Sequence, residues 1–98
     1  MQVSYGLLAE FEAAPGQGDA LAAFLIEARE IAAAEDGTVT WHAFKAGDTV
    51  YGIFDTFATE DARNAHLNGG IPAALGTVAP RLLAADPTIR LVDIIAAK

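Results

Sequence analysis

The first third of the chain shows two different spacings of apolar residues. Residues 3–11 alternate between an apolar set and a more polar one, which is the pattern of a strand with one buried face. After a break rich in glycine and proline, apolar residues recur at helical spacing. This spacing predicts a helix over roughly 18–35, with Asp19 as its cap and Glu35 on its solvated face.

Residues 38–57 are rich in β-branched and aromatic side chains and are interrupted only at 46–49. This composition predicts two strands joined by a tight hairpin. Gly47-Asp48 is typical of a two-residue hairpin loop. We therefore expect the second and third strands to pair directly across it.

The last part of the chain carries signals for helices and a final strand. Thr59 and the acidic pair after it predict the start of a second helix. This helix is expected to pause at Gly69-Gly70, and Pro72 can open a further helical segment because its missing N–H costs nothing at a first helical position. Pro80 is expected to kink or split that segment. Residues 89–96 are predicted to form the last strand.

The predicted order of elements is β-α-β-β-α-β, the ferredoxin-like arrangement of the α+β class. Right-handed crossovers place its four antiparallel strands in the spatial order 4-1-3-2, with the helices on one side of the sheet. A chain of 98 residues suits one domain, because a second core would be too small to be stable. We expect a single domain over residues 1–98.

The two-residue loop decides which side chains share each face of the hairpin. It pairs Trp41 with Phe54 and His42 with Ile53. The face of Trp41 and Phe54 is uniformly apolar and is expected to pack against the helices. The face of His42 is rich in aromatic residues and does not suit open water. We expect it to pack on a second copy of itself in an isologous homodimer.

The same register places Asp55 and Tyr51 diagonally across from His42, about 7–8 Å away. A carboxylate beside an imidazole and a phenol could perform acid–base chemistry near neutral pH. Alternatively, the three side chains could form a hydrogen-bond cluster that satisfies polar groups at the dimer interface. The sequence leaves both interpretations open.

His66 lies on the second predicted helix, in a segment without charged residues. It could be the base that takes a proton from a bound phenol or enol, or it could make a hydrogen bond from helix to sheet. Trp41 could form the wall of a pocket for a planar ligand, or it could be a core residue.

Charge and composition disfavour several classes of function. Thirteen acidic and six basic residues give a net charge of −7, which disfavours nucleic acid and membrane surfaces as partners. There is no cysteine, the two histidines show no metal-ligand spacing, and no glycine-rich phosphate loop follows a strand. Ser4 is the only serine, which disfavours a serine–histidine–aspartate triad. We expect no metal, no tightly bound cofactor, and a cytoplasmic protein without a signal sequence.

The segment Tyr51–Leu67 resembles the antibiotic biosynthesis monooxygenase family of dimeric α+β barrels. Members typically show an apolar strand ending in an acidic residue, an aromatic two positions later, a short acidic turn, an alanine-led helix and a histidine. The family usually has glutamate at the acidic strand-end position. These positions are occupied here by Asp55, Phe57, Glu60-Asp61-Ala62 and His66.

The resemblance implies a homodimer whose two sheets form a barrel, with a ligand cavity between the sheet and the helices of each subunit. It also implies oxidation of an aromatic or quinol-type molecule by dioxygen without metal or flavin, since the substrate anion supplies the electrons. His66 would be the base. The pocket for a small apolar or aromatic ligand would be shaped by Trp41, Phe54 and Tyr51. Haem degradation is not expected, because residues 67–83 lack the histidine that haem-degrading relatives use as an iron ligand.

A second hypothesis is a non-catalytic dimeric module that binds a small ligand or serves in a stress response. In that case His42, Asp55 and Tyr51 would only hold the interface together. The sequence alone does not decide whether the chain is an enzyme.

Overall fold

Residues 2–98, the part of the chain that the computed structural model describes, form four strands and three helices. The predicted β-α-β-β-α-β order is confirmed, and the second helical region consists of two consecutive helices. The elements are β1 (Tyr5–Glu12), α1 (Gly18–Ala33), β2 (Thr38–Lys45), β3 (Val50–Phe57), α2 (Glu60–Leu67), α3 (Gly70–Leu82) and β4 (Thr88–Asp93).

The helix ends follow the local signals of the sequence only in part. Thr59 caps α2, because its Oγ1 accepts a hydrogen bond from the Ala62 backbone N–H at 3.1 Å. The predicted Asp19 cap of α1 is wrong. Gln17 occupies the cap position without a side-chain hydrogen bond, and Asp19 lies in the first turn, where a negative charge is also favourable. Pro80 does not split α3, which continues past it.

The strands form one antiparallel sheet in the spatial order β2-β3-β1-β4, which confirms the predicted order. One face of this sheet packs against the helices. Ala9 and Phe11 of β1 form one buried cluster there with Leu21 and Leu25 of α1. The alternation predicted for the first strand is thus confirmed, although β1 begins at Tyr5.

The β2–β3 hairpin differs from the predicted register by one residue. Trp41 pairs with Asp55 rather than with Phe54. The loop is the cause: it has three residues instead of two, because the Ala46 backbone N–H donates to the Val50 carbonyl oxygen at 2.8 Å. A slip of one residue turns every side chain of a strand to the opposite face.

This slip separates residues that were predicted to act together. His42 pairs with Phe54, and both lie on the face away from the helices. Asp55 and Tyr51 face the helices, where they are 0% and 3% exposed. The predicted cluster of His42, Asp55 and Tyr51 is therefore wrong. Phe54 and Trp41 do not share a wall either, because Trp41 lies on the helix side.

The face of the sheet away from the helices is apolar at its centre, and no helix among residues 2–98 packs across it. Phe44 lies over Gly52, and Phe54 lies beside Gly6, since both glycines leave room for an aromatic ring. The side chains of this outer apolar face are all half-buried. They are Leu8, Phe44, Phe54, Val92 and Ile94.

Candidate functional site

Three elements bring an imidazole and two carboxylates together on the helix side of the sheet. His66 Nδ1 lies 2.7 Å from Glu35 Oε1. His66 Nε2 lies 2.9 Å from Asp55 Oδ2. We call these three residues the His66 cluster. It is supplied by α2, β3 and the loop that follows α1.

The sheet and α2 position the two buried members of the cluster. Asp55 lies on β3 between Leu7 of β1 and Trp41 of β2, so strands flank it on both sides. The Thr59 cap starts α2, and His66 follows nearly two turns later on the face towards the sheet. The His66 ring packs against Phe57 with the ring centroids 5.4 Å apart.

Arg63, one turn before His66, attaches α2 to the sheet. Its Nη1 donates to the backbone carbonyl oxygens of Gly6 at 3.2 Å and Val92 at 3.1 Å. Its guanidinium lies over the Tyr5 ring, 5.1 Å from the centroid. Because these contacts reach β1 and β4, they hold α2 in the place that brings His66 to Asp55.

Glu35 is the outermost member of the cluster. Its side chain is 21% exposed, against 4% for His66 and 0% for Asp55. Its Oε1 accepts a hydrogen bond from Thr38 Oγ1 at 2.7 Å in addition to the contact with His66. Thr38 begins β2, so the start of that strand fixes the position of the carboxylate.

Asp55 depends on His66 for compensation of its charge. The 2.9 Å contact is within ion-pair distance, but no donor among residues 2–98 is aligned for a hydrogen bond with either Asp55 oxygen. We therefore treat the contact as an ion pair. A buried carboxylate without hydrogen bonds is costly unless a cation lies beside it.

The two carboxylates hold His66 in its charged form. Burial alone disfavours the charged ring and lowers its pKa, but contacts with Asp55 and Glu35 outweigh burial and raise the pKa of His66 from 6.5 to about 9. The ring is consequently an imidazolium at neutral pH. Nδ1 shares a hydrogen bond with Glu35 and Nε2 lies against Asp55, so neither nitrogen is free to accept a proton.

A groove of about 450 Å³ opens beside the cluster, between the end of α1, α2 and the start of α3. Its polar lining side chains are Glu35, Asp36, Thr38 and His66. The other lining residues are small or apolar, and a glycine pair lies where α3 follows α2. They include Ile31, Ala34, Ala62, Ala65, Gly69 and Gly70.

The structure brings only one of the predicted pocket residues to this groove, which is His66. Trp41 lines a separate depression of about 180 Å³ beside Ala32. Tyr51 lines another of about 220 Å³ near Lys45, and Phe54 belongs to the outer apolar face. A ligand-binding role for these three aromatic residues stays a prediction, but they do not surround the groove at His66.

Sequence reasoning missed Glu35, which was assigned to the solvated face of the first helix. That expectation is wrong because α1 ends at Ala33. Glu35 lies in the turn beyond, where its direction no longer follows the helical repeat. One feature of the sequence points towards the cluster, which is the position of Asp55 on a strand. A carboxylate on a strand face that packs against helices needs a cation nearby.

Residues 2–98 contain neither a metal-binding group nor a membrane-spanning helix. No group of three or more His, Asp and Glu side chains is arranged to hold a metal ion. None of the helices in this range is both long enough and apolar enough to cross a membrane.

The fold and site define an α+β protein of the ferredoxin-like class with a buried carboxylate–histidine cluster. No protein-family profile and no curated protein matches the chain. A crystal structure of NE2512, a protein of unknown function from Nitrosomonas europaea, is 48% identical, with a TM-score of 0.96 over 98% of this chain and 93% of its own. The chain belongs to the same family as that Nitrosomonas protein.

More distant structures share the fold. A proposed antibiotic biosynthesis monooxygenase from Caulobacter crescentus is 21% identical, with a TM-score of 0.79 over 97% of this chain and 92% of its own. Another from Chloroflexus aurantiacus is 24% identical, with a TM-score of 0.75 over 97% of this chain and 96% of its own. At these identities the similarity establishes the fold alone.

Proposed function

We propose that this chain is a cofactor-independent monooxygenase that oxidises a small aromatic or quinol-type molecule with dioxygen in the groove beside His66. The observation that carries the proposal is an acid–base cluster beside a groove large enough for a ring compound. Ligand sites of small molecules typically have volumes of about 300–1,000 Å³, and this groove has about 450 Å³. The fold shared with two proposed antibiotic biosynthesis monooxygenases supports the same reaction class.

The proposed reaction needs the protein only to move protons and to hold the substrate. The substrate is a molecule with an acidic CH₂ group between aromatic rings or beside a carbonyl. Loss of one proton gives a stabilised carbanion, which reduces dioxygen and forms a hydroperoxide on carbon. Loss of the second C–H proton and cleavage of the O–O bond then give a carbonyl and water. The carbon loses four electrons and dioxygen accepts four, with one oxygen atom in each product.

In this proposal the His66 cluster takes up the first proton and returns a proton to the departing oxygen. General acid–base catalysis of this kind typically contributes about 10²–10⁴-fold in rate. The imidazolium supplies a proton at neutral pH, because the pKa of His66 is raised to about 9.

The proposal includes a homodimer built on the outer apolar face. This face lies on the opposite side of the sheet from the groove, so pairing leaves the groove open. Contiguous apolar patches on small proteins usually mark an interaction surface. A second copy offers the same surface about a two-fold axis, which gives a self-complementary interface.

A second candidate is a non-catalytic dimeric module that binds a small ligand in the same groove. The observation in its favour is that both ring nitrogens of His66 contact carboxylates, as in an ion pair that stabilises the fold. The two candidates differ in turnover, since both predict that a small molecule binds.

Oxygen consumption with a panel of anthrone-type phenols and arylmethyl ketones, each with an acidic CH₂ group, distinguishes these candidates. With metal-free protein, His66→Gln is expected to lower the rate on the best compound by about a hundredfold or more. Asn64→Gln, on the exposed side of α2, serves as the matched control and should keep the full rate. Equal rates in His66→Gln and wild type would remove His66 from the mechanism. Binding of a panel compound without oxygen consumption would favour the non-catalytic module.

A further inference from the structure

The members of the His66 cluster differ in their access to the groove. Asp55 is 0% exposed and lies behind the imidazole ring. His66 lines the groove, but each of its ring nitrogens lies against a carboxylate. Glu35 is the most exposed of the three and also lines the groove. A ligand in the groove therefore meets the Glu35 carboxylate before any nitrogen of His66.

The two oxygens of Glu35 have different surroundings. Oε1 contacts His66 Nδ1 and accepts from Thr38 Oγ1, while Oε2 accepts no hydrogen bond from residues 2–98. Oε2 is directed towards Gly69, where an added Cβ would lie only 3.0 Å from it. A side chain at Gly69 would crowd Oε2, and the Glu35 side chain, which is 21% exposed, lines the groove there.

Charge makes this carboxylate a suitable acceptor. The cluster contains two carboxylates and one imidazolium, so it has one negative charge in excess while His66 is protonated. Uptake of one proton from a ligand would leave the cluster without net charge. Because the sites interact closely, the proton belongs to the cluster as a whole once it has been taken up.

The walls of the groove also restrict the charge of the ligand. Glu35 and Asp36 are carboxylates on its lining, and no lysine or arginine among residues 2–98 lines it. The one cation on the lining is the His66 imidazolium, and both of its nitrogens already lie against carboxylates, so an anionic ligand would meet more negative than positive charge there. The chemistry favours an uncharged molecule whose acidic C–H or O–H group reaches Oε2.

From this geometry we propose that Glu35 is the catalytic residue that takes the proton from an uncharged carbon acid, such as an arylmethyl ketone. His66 and Thr38 are positioning residues that hold Oε1 and leave Oε2 for the ligand. This inference rests on the proposed function, since it assigns the proton-transfer step of the same site. It makes Glu35, rather than His66, the direct base.

Anaerobic hydrogen–deuterium exchange isolates this step from oxygen chemistry. The probe is 2-tetralone, an uncharged bicyclic ketone with an acidic CH₂ group, incubated in D₂O and followed by ¹H NMR. Wild-type protein is expected to accelerate loss of the CH₂ signal over buffer. Glu35→Gln should lower the enzyme-dependent rate by about a hundredfold. Glu35→Asp, which keeps the carboxylate, should recover part of the rate.

The matched control is Glu30→Gln, a change of the same kind at a side chain of α1 that is 82% exposed. It should exchange the probe at the wild-type rate. A merely structural role of Glu35 predicts equal loss in the Gln and Asp variants, and that result would overturn the inference. The inference would also be overturned if Glu35→Gln exchanged the probe at the wild-type rate. It would fail as well if wild-type protein exchanged the probe no faster than buffer.

The exchange experiment also separates this inference from the proposed monooxygenase. Glu35-dependent exchange without oxygen consumption by any panel compound would support the inference and contradict the oxygenase. Oxygen consumption that survives in Glu35→Gln would support the oxygenase and overturn the inference.

Discussion

Replacing His66 with alanine is expected to lower the free energy of unfolding by about 3–5 kcal/mol. The substitution removes the only cation in contact with Asp55 among residues 2–98. It leaves a fully buried carboxylate whose oxygens have no aligned hydrogen-bond donor. Domains of this size have a total stability of about 5–15 kcal/mol, so the loss is a large fraction. Urea titration followed by circular dichroism measures it.

The control is a second change that removes the charge left behind. Adding Asp55→Asn to His66→Ala should restore a large part of the lost stability, because a neutral amide costs less to bury than an unpaired carboxylate. The double variant also keeps the test informative if His66→Ala does not fold. A His66→Ala protein as stable as wild type would contradict the ion pair.

The direction of the pH effect follows from the same ion pair. The folded pKa of His66, about 9, lies above its ordinary value of 6.5. The pair therefore stabilises the fold fully below pH 6.5, and this contribution is lost as the pH rises through 9. A shift of this size corresponds to about 3 kcal/mol. The difference in stability between wild type and His66→Ala should narrow by about that amount when urea titrations are repeated at about pH 10.

Introducing aspartate at Phe54 is expected to convert the proposed dimer to a monomer. Phe54 belongs to the outer apolar face, and the two-fold symmetry of the proposed dimer would bury two new carboxylates in one apolar interface. Burying two carboxylates among apolar side chains is costly. The dissociation constant should rise by at least about a hundredfold, which corresponds to about 2.7 kcal/mol. Sedimentation equilibrium over a range of protein concentrations measures it.

The matched control for the dimer is Ala23→Asp, which places the same charge on an exposed position of α1. It should sediment as wild type does. Monomeric wild-type protein at micromolar concentration would contradict the proposed interface. A dimer that survives Phe54→Asp would place the interface on another surface.

Local patterns were sufficient to predict the elements of this fold. The alternation in β1 reflects one buried face, and Thr59 caps α2 because its hydroxyl can reach a free backbone N–H. The right-handed crossover rule then leads to the observed strand order. These features depend on residues close in sequence or on the handedness of the chain, so a sequence contains enough information to predict them.

The register of the hairpin could not be predicted as reliably as the strand order. Gly47-Asp48 suits a two-residue loop, but Thr49 also belongs to the loop, which closes between Ala46 and Val50. One additional loop residue moved Asp55 from the face of His42 to the face of the helices. The predicted acid–base group was therefore assembled from the wrong histidine.

The site contains a histidine and an aspartate that the family resemblance had already singled out. Asp55 and His66 both matched the family pattern, but the pattern gave no information that they touch. Glu35 comes from a different part of the chain and reaches His66 only because α1 ends before it. Contacts between residues far apart in sequence depend on tertiary packing, so the spacing of residues along the chain does not predict them.

The protonation state of His66 is the most direct test of the central claim that two carboxylates hold an imidazolium beside the groove. ¹⁵N NMR of the histidine rings from about pH 5 to about pH 10.5 measures it, and His42→Gln assigns the two signals. We predict that both nitrogens of His66 stay protonated through neutral pH and that the ring titrates near pH 9. A ring that loses its proton near pH 6.5 in the folded protein would contradict the cluster and the proton chemistry proposed from it.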